Sequence, residues 1–324
     1  MKPFPNLRML VLAASLLALA GCATVVPPAP AHEDAAACDA AITCDATALQ
    51  HIGKGEHAQA LEWYEKALTI RKKELGEDHP GVAVSYDNLG WASLGKGDPA
   101  KALEWYEKAL AIREKTWDGT PAQAGDLIKT YDNIARVHRR QRDFPSATQW
   151  LRRAQETREK MLGEENPEVI KGSIFIASTY EGSGDYANAL SWYRKALDLT
   201  ERTKGPDDSD VAAICNNIGM IYDGLDDYRN AQVWYDKALA LREKTLGKDH
   251  PFTAAVRNNL AKIHFDRGAY EDALSECLAS YRALLHHFGE GNPEVETVRI
   301  NLREIYRATG HATPFEQWLA SAVQ

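Results

Sequence analysis

The chain has 324 residues, 44% of them hydrophobic and 26% charged, a balance that excludes disorder throughout. Its 38 Lys and Arg against 46 Asp and Glu give a formal net charge of −8, which excludes nucleic-acid binding by bulk electrostatics. Met1–Arg8 is short and basic. Met9–Ala20 is apolar but too short to cross a bilayer as a mature helix, so the opening reads as an export signal.

The signal ends in Leu19-Ala20-Gly21-Cys22, which resembles the lipobox of bacterial lipoproteins. The resemblance implies cleavage before Cys22 and acylation of its thiol, with two or three acyl chains giving a stable anchor. Residues 1–21 would then be lost with Lys2 and Arg8, taking the charge from −8 to −10. Ala rather than Asp at position 23 implies, in a Gram-negative envelope, an outer-membrane location facing the periplasm. Residues 22–40 are expected to form the acylated Cys and a Pro/Ala-rich tether, since Ala23–Ala37 has no apolar periodicity. Cys38 and Cys44 lie where the tether meets the first repeat and are the candidate disulfide in an oxidising compartment. Cys215 and Cys277 fall at packing positions and read as small buried thiols.

From about Ala41 to Gln324 the chain repeats. The phrase ALEWYEKAL stands at Ala60–Leu68 and Ala102–Leu110, with variants at Ala189–Leu197 and Ala231–Leu239. Anchor alanines at 60, 102, 147, 189, 231 and 273 are spaced 42, 45, 42, 42 and 42 residues apart. A fixed period of this size means stacked supersecondary units. Trp63, Trp105, Trp150, Trp192 and Trp234 keep the same register beside the alanines, and Trp318 keeps it beside Phe315, so they read as packing. Between units come phrases such as LGEDHP (Leu75–Pro80) and LGKDHP (Leu246–Pro251), in which Gly stops one helix and a capping residue with Pro starts the next. Gly97-Asp98 and Gly184-Asp185 turn the chain back within a unit. Three extra residues in Trp117–Gly125 are expected to lengthen the loop before the third repeat.

Asn88-Leu89-Gly90, Gly97-Asp98, Ala102, Tyr106 and Ala109 sit at the spacings of the tetratricopeptide consensus. The 42-residue period and the paired Asn216-Asn217 and Asn258-Asn259 resemble the kinesin-light-chain variety. The resemblance implies an all-α, tetratricopeptide-type solenoid of about seven antiparallel helical hairpins over residues 41–324. It also implies a concave groove lined by the first helix of each hairpin. With Asn88 as position six, positions two, five, six, nine, twelve and thirteen face that groove.

Asn88, Asn133, Asn217, Asn259 and Asn301 recur at position six. They are candidates either to grip an extended peptide backbone or to bond the neighbouring helix. Lys129, Arg136, Arg139 and Arg140 of the third repeat, with Trp91 before and Lys171 after, form a candidate peptide-binding cluster. The ligand it implies is an acidic peptide or a free C-terminal carboxylate. No H-E-x-x-H, G-x-S-x-G or Walker sequence is present, and His79 and His250 belong to the helix-start phrase. No catalytic residue, metal site or cofactor is expected. The expectation is a lipid-anchored envelope scaffold that binds a protein or extended peptide. A regulatory adaptor of an envelope enzyme or secretion machine, or a surface-exposed adhesin-like factor, are the alternatives.

Overall fold

The computed structural model describes residues 35–323, all helices and short connections. Cys22 and the whole signal segment lie outside the described residues. Fourteen helices follow in order: α1 (Ala35–Gly53), α2 (His57–Leu75), α3 (Pro80–Lys96), α4 (Pro99–Lys115), α5 (Pro121–Arg140), α6 (Phe144–Leu162) and α7 (Pro167–Ser183). Then come α8 (Tyr186–Lys204), α9 (Ser209–Gly224), α10 (Tyr228–Leu246), α11 (Pro251–Asp266), α12 (Tyr270–Phe288), α13 (Pro293–Thr309) and α14 (Phe315–Val323). They divide into two compact units, one through Gly184 and one from Asp185. In each unit the odd-numbered helices are first helices of repeats and the even-numbered ones second helices. The all-α, hairpin-repeat class expected from the sequence is the class found.

Local chemistry marks each boundary. His79, Asn166, Asp208, His250 and Asn292 precede α3, α7, α9, α11 and α13, and each side chain accepts a hydrogen bond from the backbone N–H two residues on, at 2.8–3.1 Å. These bonds satisfy amides that the first turn leaves without partners. Asp98, Asp143, Asp185 and Asp227 do the same for second helices, accepting from the N–H three residues on. The linker glycines Gly76 and Gly247 have φ of +88° and +91° with ψ of 160° and 165°, a region essentially closed to side chains. That is why the phrase between repeats carries Gly at this point.

Packing explains the repeated alanines. Ala60, Ala102, Ala147, Ala189, Ala231 and Ala273 are fully buried, so helices cross over them closely. Tyr64, Tyr106, Tyr193 and Tyr235 fill the neighbouring space and are nearly inaccessible. A β-carbon at Gly90 would stand 2.6 Å from the Tyr106 ring, and one at Gly219 would stand 2.7 Å from the Tyr235 ring. The tryptophans Trp63, Trp105, Trp150 and Trp318 are half-buried against the hydrophobic core, in keeping with a packing role.

Three details differ from expectation. The helix α1 begins at Ala35, inside the stretch read as tether, and it carries both Cys38 and Cys44. Six residues on one α-helix span about 9 Å, beyond the ~7 Å that a disulfide can bridge between α-carbons. Cys44 is a free thiol, so the expected bridge is absent. The insertion before the third repeat is mostly helix: α5 has 20 residues where α3 and α7 have 17. Cys215 and Cys277 are buried as expected, and burial pushes the Cys215 thiol up to about 11 and Cys277 further in the same direction.

Replacing Gly219 with Ala should destabilise the protein by about 1–3 kcal/mol, because a rigid ring occupies the space the methyl needs. Urea unfolding monitored by circular dichroism measures this; unchanged stability would refute the close approach. His250 gives a pH effect. Burial, then the positive charges of His287 and Arg242, hold its imidazole below the ordinary histidine value, and its Nδ1 must be unprotonated to accept from Phe252. A folded-state value below the unfolded one means that the cap's contribution is complete above roughly pH 6.5 and fades as pH falls. His250→Asn, which uses the capping residue found at Asn166 and Asn292, should flatten the melting temperature between pH 7.5 and 5 relative to wild type.

Candidate functional site

Contacts between first helices define the face on which a partner would dock. In the first unit, Asn88 of α3 donates from Nδ2 to Asp45 Oδ1 of α1 at 3.4 Å. Arg140 of α5 donates to the Leu94 carbonyl of α3 at 3.1 Å, and the Arg139 guanidinium lies 4.7 Å from the centre of the Phe175 ring of α7. The helices α1, α3, α5 and α7 therefore lie side by side.

Asn88, Asn259 and Asn301 of the asparagine row are spent on this stacking. In the second unit Asn259 Nδ2 donates to Asn216 Oδ1 at 3.2 Å, and Asn301 Nδ2 to Asn258 Oδ1 at 2.9 Å. Position six of one first helix thus reaches back to position five of the preceding one. Asn88, Asn217, Asn259 and Asn301 are all buried, Asn259 completely. Of the two roles open to these residues, the geometry supports the bond to the neighbouring helix. The amides of Asn88, Asn259 and Asn301 are turned between helices, not out toward a groove. Asn133 is half-buried.

The basic cluster is partly dispersed. Arg140 serves the C-terminal end of α3 through Leu94. Lys171 is exposed and pairs with Glu168 of its own helix at 2.7 Å. Lys129 lies 3.4 Å from Asp126. Arg136 and Arg139 are half-buried on the inner face, and the Arg136 Nε is buried with no hydrogen-bond partner. Trp91 is 37% exposed, a rare state for so large an apolar side chain in this protein. The second unit contrasts with this arrangement. There Lys262 sits 2.8 Å from both Asp223 and Asp266, so charge on its inner face is matched internally.

Behind the face runs a polar device that motif reading did not isolate. Arg71, Arg113 and Arg158 are buried on second helices. Each pairs with position five of its own first helix: Arg71 with Asp45 at 2.7 Å, Arg113 with Asp87 at 2.6 Å, and Arg158 with Asp132. Arg71 also donates to Ser85 at 2.8 Å and Arg113 to Thr130, both on the next first helix. One guanidinium therefore ties three helices. Burial raises the carboxyls of Asp87 and Asp132, and the adjacent Arg113 and Arg158 oppose that rise. The signal was available as Arg at 71, 113 and 158 repeating with Asp at 45, 87 and 132.

Among the described residues no group of three His, Cys, Asp or Glu side chains is placed to hold a metal ion. Among the same residues no helix is long and apolar enough to cross a membrane.

Helical hairpins of this geometry, stacked through small residues at a 42-residue period, define a protein-interaction repeat class. The chain belongs to the tetratricopeptide repeat family, whose pattern it matches over residues 40–115, 126–202, 170–244 and 210–285. Its fold is similar to that of BtubC (BKLC) from P. vanneervenii, with a TM-score of 0.57 and 19% identity over 80% of this chain and 96% of that one. It is also similar to a putative kinesin light chain with nearly identical repeats from Podosopora anserina, with a TM-score of 0.55 and 20% identity over 63% and 95% of the two chains. The apo form of RapI gives a TM-score of 0.54 at 13% identity over 83% and 97%. At these identities the likeness is one of fold. No curated protein sequence matches the chain.

Removing one member of a buried ion pair strands the other. Arg113→Ala should therefore cost about 3–5 kcal/mol of stability, while the double change Arg113→Met with Asp87→Leu should restore much of it. Denaturant midpoints of the two variants test this, and equal losses would mean that the pair is not the source of the effect.

Proposed function

We propose that this protein is a lipid-anchored scaffold that binds a protein or extended peptide on the inner face of its first helices. The observation that carries the binding half is the exposed Trp91 of α3, with half-buried Arg136 and Arg139 on the adjoining α5 in the first unit. An indole offers buried apolar area, and a guanidinium can take a carboxylate bidentately, so the pair suits an acidic segment. Stacked hairpins of the tetratricopeptide repeat family support a recognition role.

The anchoring half rests on Leu19-Ala20-Gly21-Cys22. Acyl chains on Cys22 would tether the repeats to the outer membrane, facing the periplasm, with the intervening Pro/Ala-rich residues as spacer. Neither cofactor nor metal enters this reading, and nucleic acid is not a partner.

Two experiments test the two halves separately. Cys22→Ser should abolish incorporation of a labelled fatty acid; label retained on this variant would sink the anchor. Full-length protein in detergent should capture a partner from the cell envelope. Trp91→Ala and Arg136→Glu with Arg139→Glu should weaken capture at least tenfold, without loss of helicity. The charge variant should also remove the salt sensitivity of binding. Capture unchanged by all three substitutions would move the site elsewhere.

A further inference from the structure

From α3 onward, one edge of each first helix meets the preceding repeat. At position three, Ser85 of α3 accepts from Arg71 of α2 at 2.8 Å, and Thr130 of α5 accepts from Arg113 of α4. At position six, Asn88, Asn259 and Asn301 reach the first helix before their own. Position ten, one turn further along the same edge, is buried in every first helix from α3 to α13, from Ala92 through Val137 and Ile221 to Ile305. On α1 the three places hold Thr43, Ala46 and Gln50, and all three are exposed. Ile42 beside them is 38% exposed. The exposed residues between Ala40 and Gly53 carry no charge: Asp45 is buried against Arg71, and His51 is hydrogen-bonded to Glu56 at 2.7 Å. The outer edge of α13 differs. Around its exposed Ile300 stand Arg303 and Arg307, paired with Glu316 and Glu304 at 2.6 Å. A polar finish of that kind suits a terminal repeat, and α1 lacks it.

We infer that α1 pairs with α1 of a second copy of this chain, with Ala46 at the two-fold axis. The inference goes beyond partner binding and rests on the proposed anchor for its strength. Both copies present the same uncharged edge, so pairing brings no like charges together, and the small Ala46 lets the two helices approach closely. An isologous contact closes on itself as a dimer. Packing the same edge on α13 of another copy would instead build an open series, and would set Ile42 and Ala46 against charged side chains. Twelve residues, 23–34, separate Cys22 from α1 and reach at most about 40 Å. Two anchored copies therefore hold their α1 helices within the same layer above one membrane, where each can meet the other. One helix edge falls well short of the ~800 Å² per partner of a standard interface. Confinement of both copies to the membrane offsets this by raising their effective concentration.

Cysteine cross-linking of the full-length protein in whole cells tests the inference. In a background of Cys38→Ser with Cys44→Ser, Ala46→Cys should form a disulfide-linked dimer on mild oxidation, and Gln59→Cys on α2 should not. Adding Ile42→Glu to Ala46→Cys should cut the yield about tenfold, because a carboxylate would lose water between the helices. Circular dichroism of the purified variants should show unchanged helicity, since positions 42 and 46 are exposed. Three results would overturn the inference: no dimer at Ala46→Cys, a yield indifferent to Ile42→Glu, or a cross-link between co-expressed Ala46→Cys and Ile300→Cys chains. Incorporation of labelled fatty acid, read on the same cells, separates the anchor from the pairing. A dimer formed without label would remove the anchor and leave the pairing standing; label without a dimer would do the reverse.

Discussion

A two-helix hairpin with one apolar face has nowhere to bury it alone, and stacking hairpins buries polar groups along with apolar ones. Every such group must find a partner inside the stack, since an unmet buried donor or acceptor costs about 1–3 kcal/mol. This constraint shapes the first unit. A buried guanidinium on each second helix meets a carboxylate on its own first helix, and in two repeats also a hydroxyl on the next. In the second unit asparagine pairs between first helices take over, and Arg242 keeps a simpler contact to Ser209 at 2.8 Å. Two polar vocabularies thus serve one stacking geometry. Both place their polar atoms at positions five and six, where adjacent first helices meet.

Much of this was legible in the sequence because stacking repeats its demands. Ala at 60, 102, 147, 189, 231 and 273 had to be small, and Gly90 had to lack a side chain under Tyr106. His79 and His250 read as helix-start residues, and both cap. What escaped had a physical reason in each case. Helical spacing says which residues share a face, but not which edge of it touches the adjoining helix. The asparagines therefore could not be divided between groove and stack until the Asn259–Asn216 and Asn301–Asn258 bonds were seen. Arg71, Arg113 and Arg158 escaped because a periodic charge looks the same in sequence whether it meets water or a buried carboxylate. The bridge expected between Cys38 and Cys44 failed because α1 begins at Ala35 without the Gly and Pro marks that announce the other first helices.

The same division decides where recognition can reside. Side chains at positions five and six are committed to the stack, and changing them would alter the fold before it altered a ligand. Position nine is less constrained, and there the repeats diverge: Leu49, Trp91, Arg136, Ser178, Met220 and Lys262 occupy the same place in successive first helices. In the second unit that freedom is used inwardly, with Lys262 held between Asp223 and Asp266. In the first unit Lys129 pairs with Asp126, the Arg139 guanidinium lies over the Phe175 ring, and Trp91 remains exposed. The ninth position of the first helices is therefore where the stacking rules constrain the residue least, and where one repeat differs most from the next.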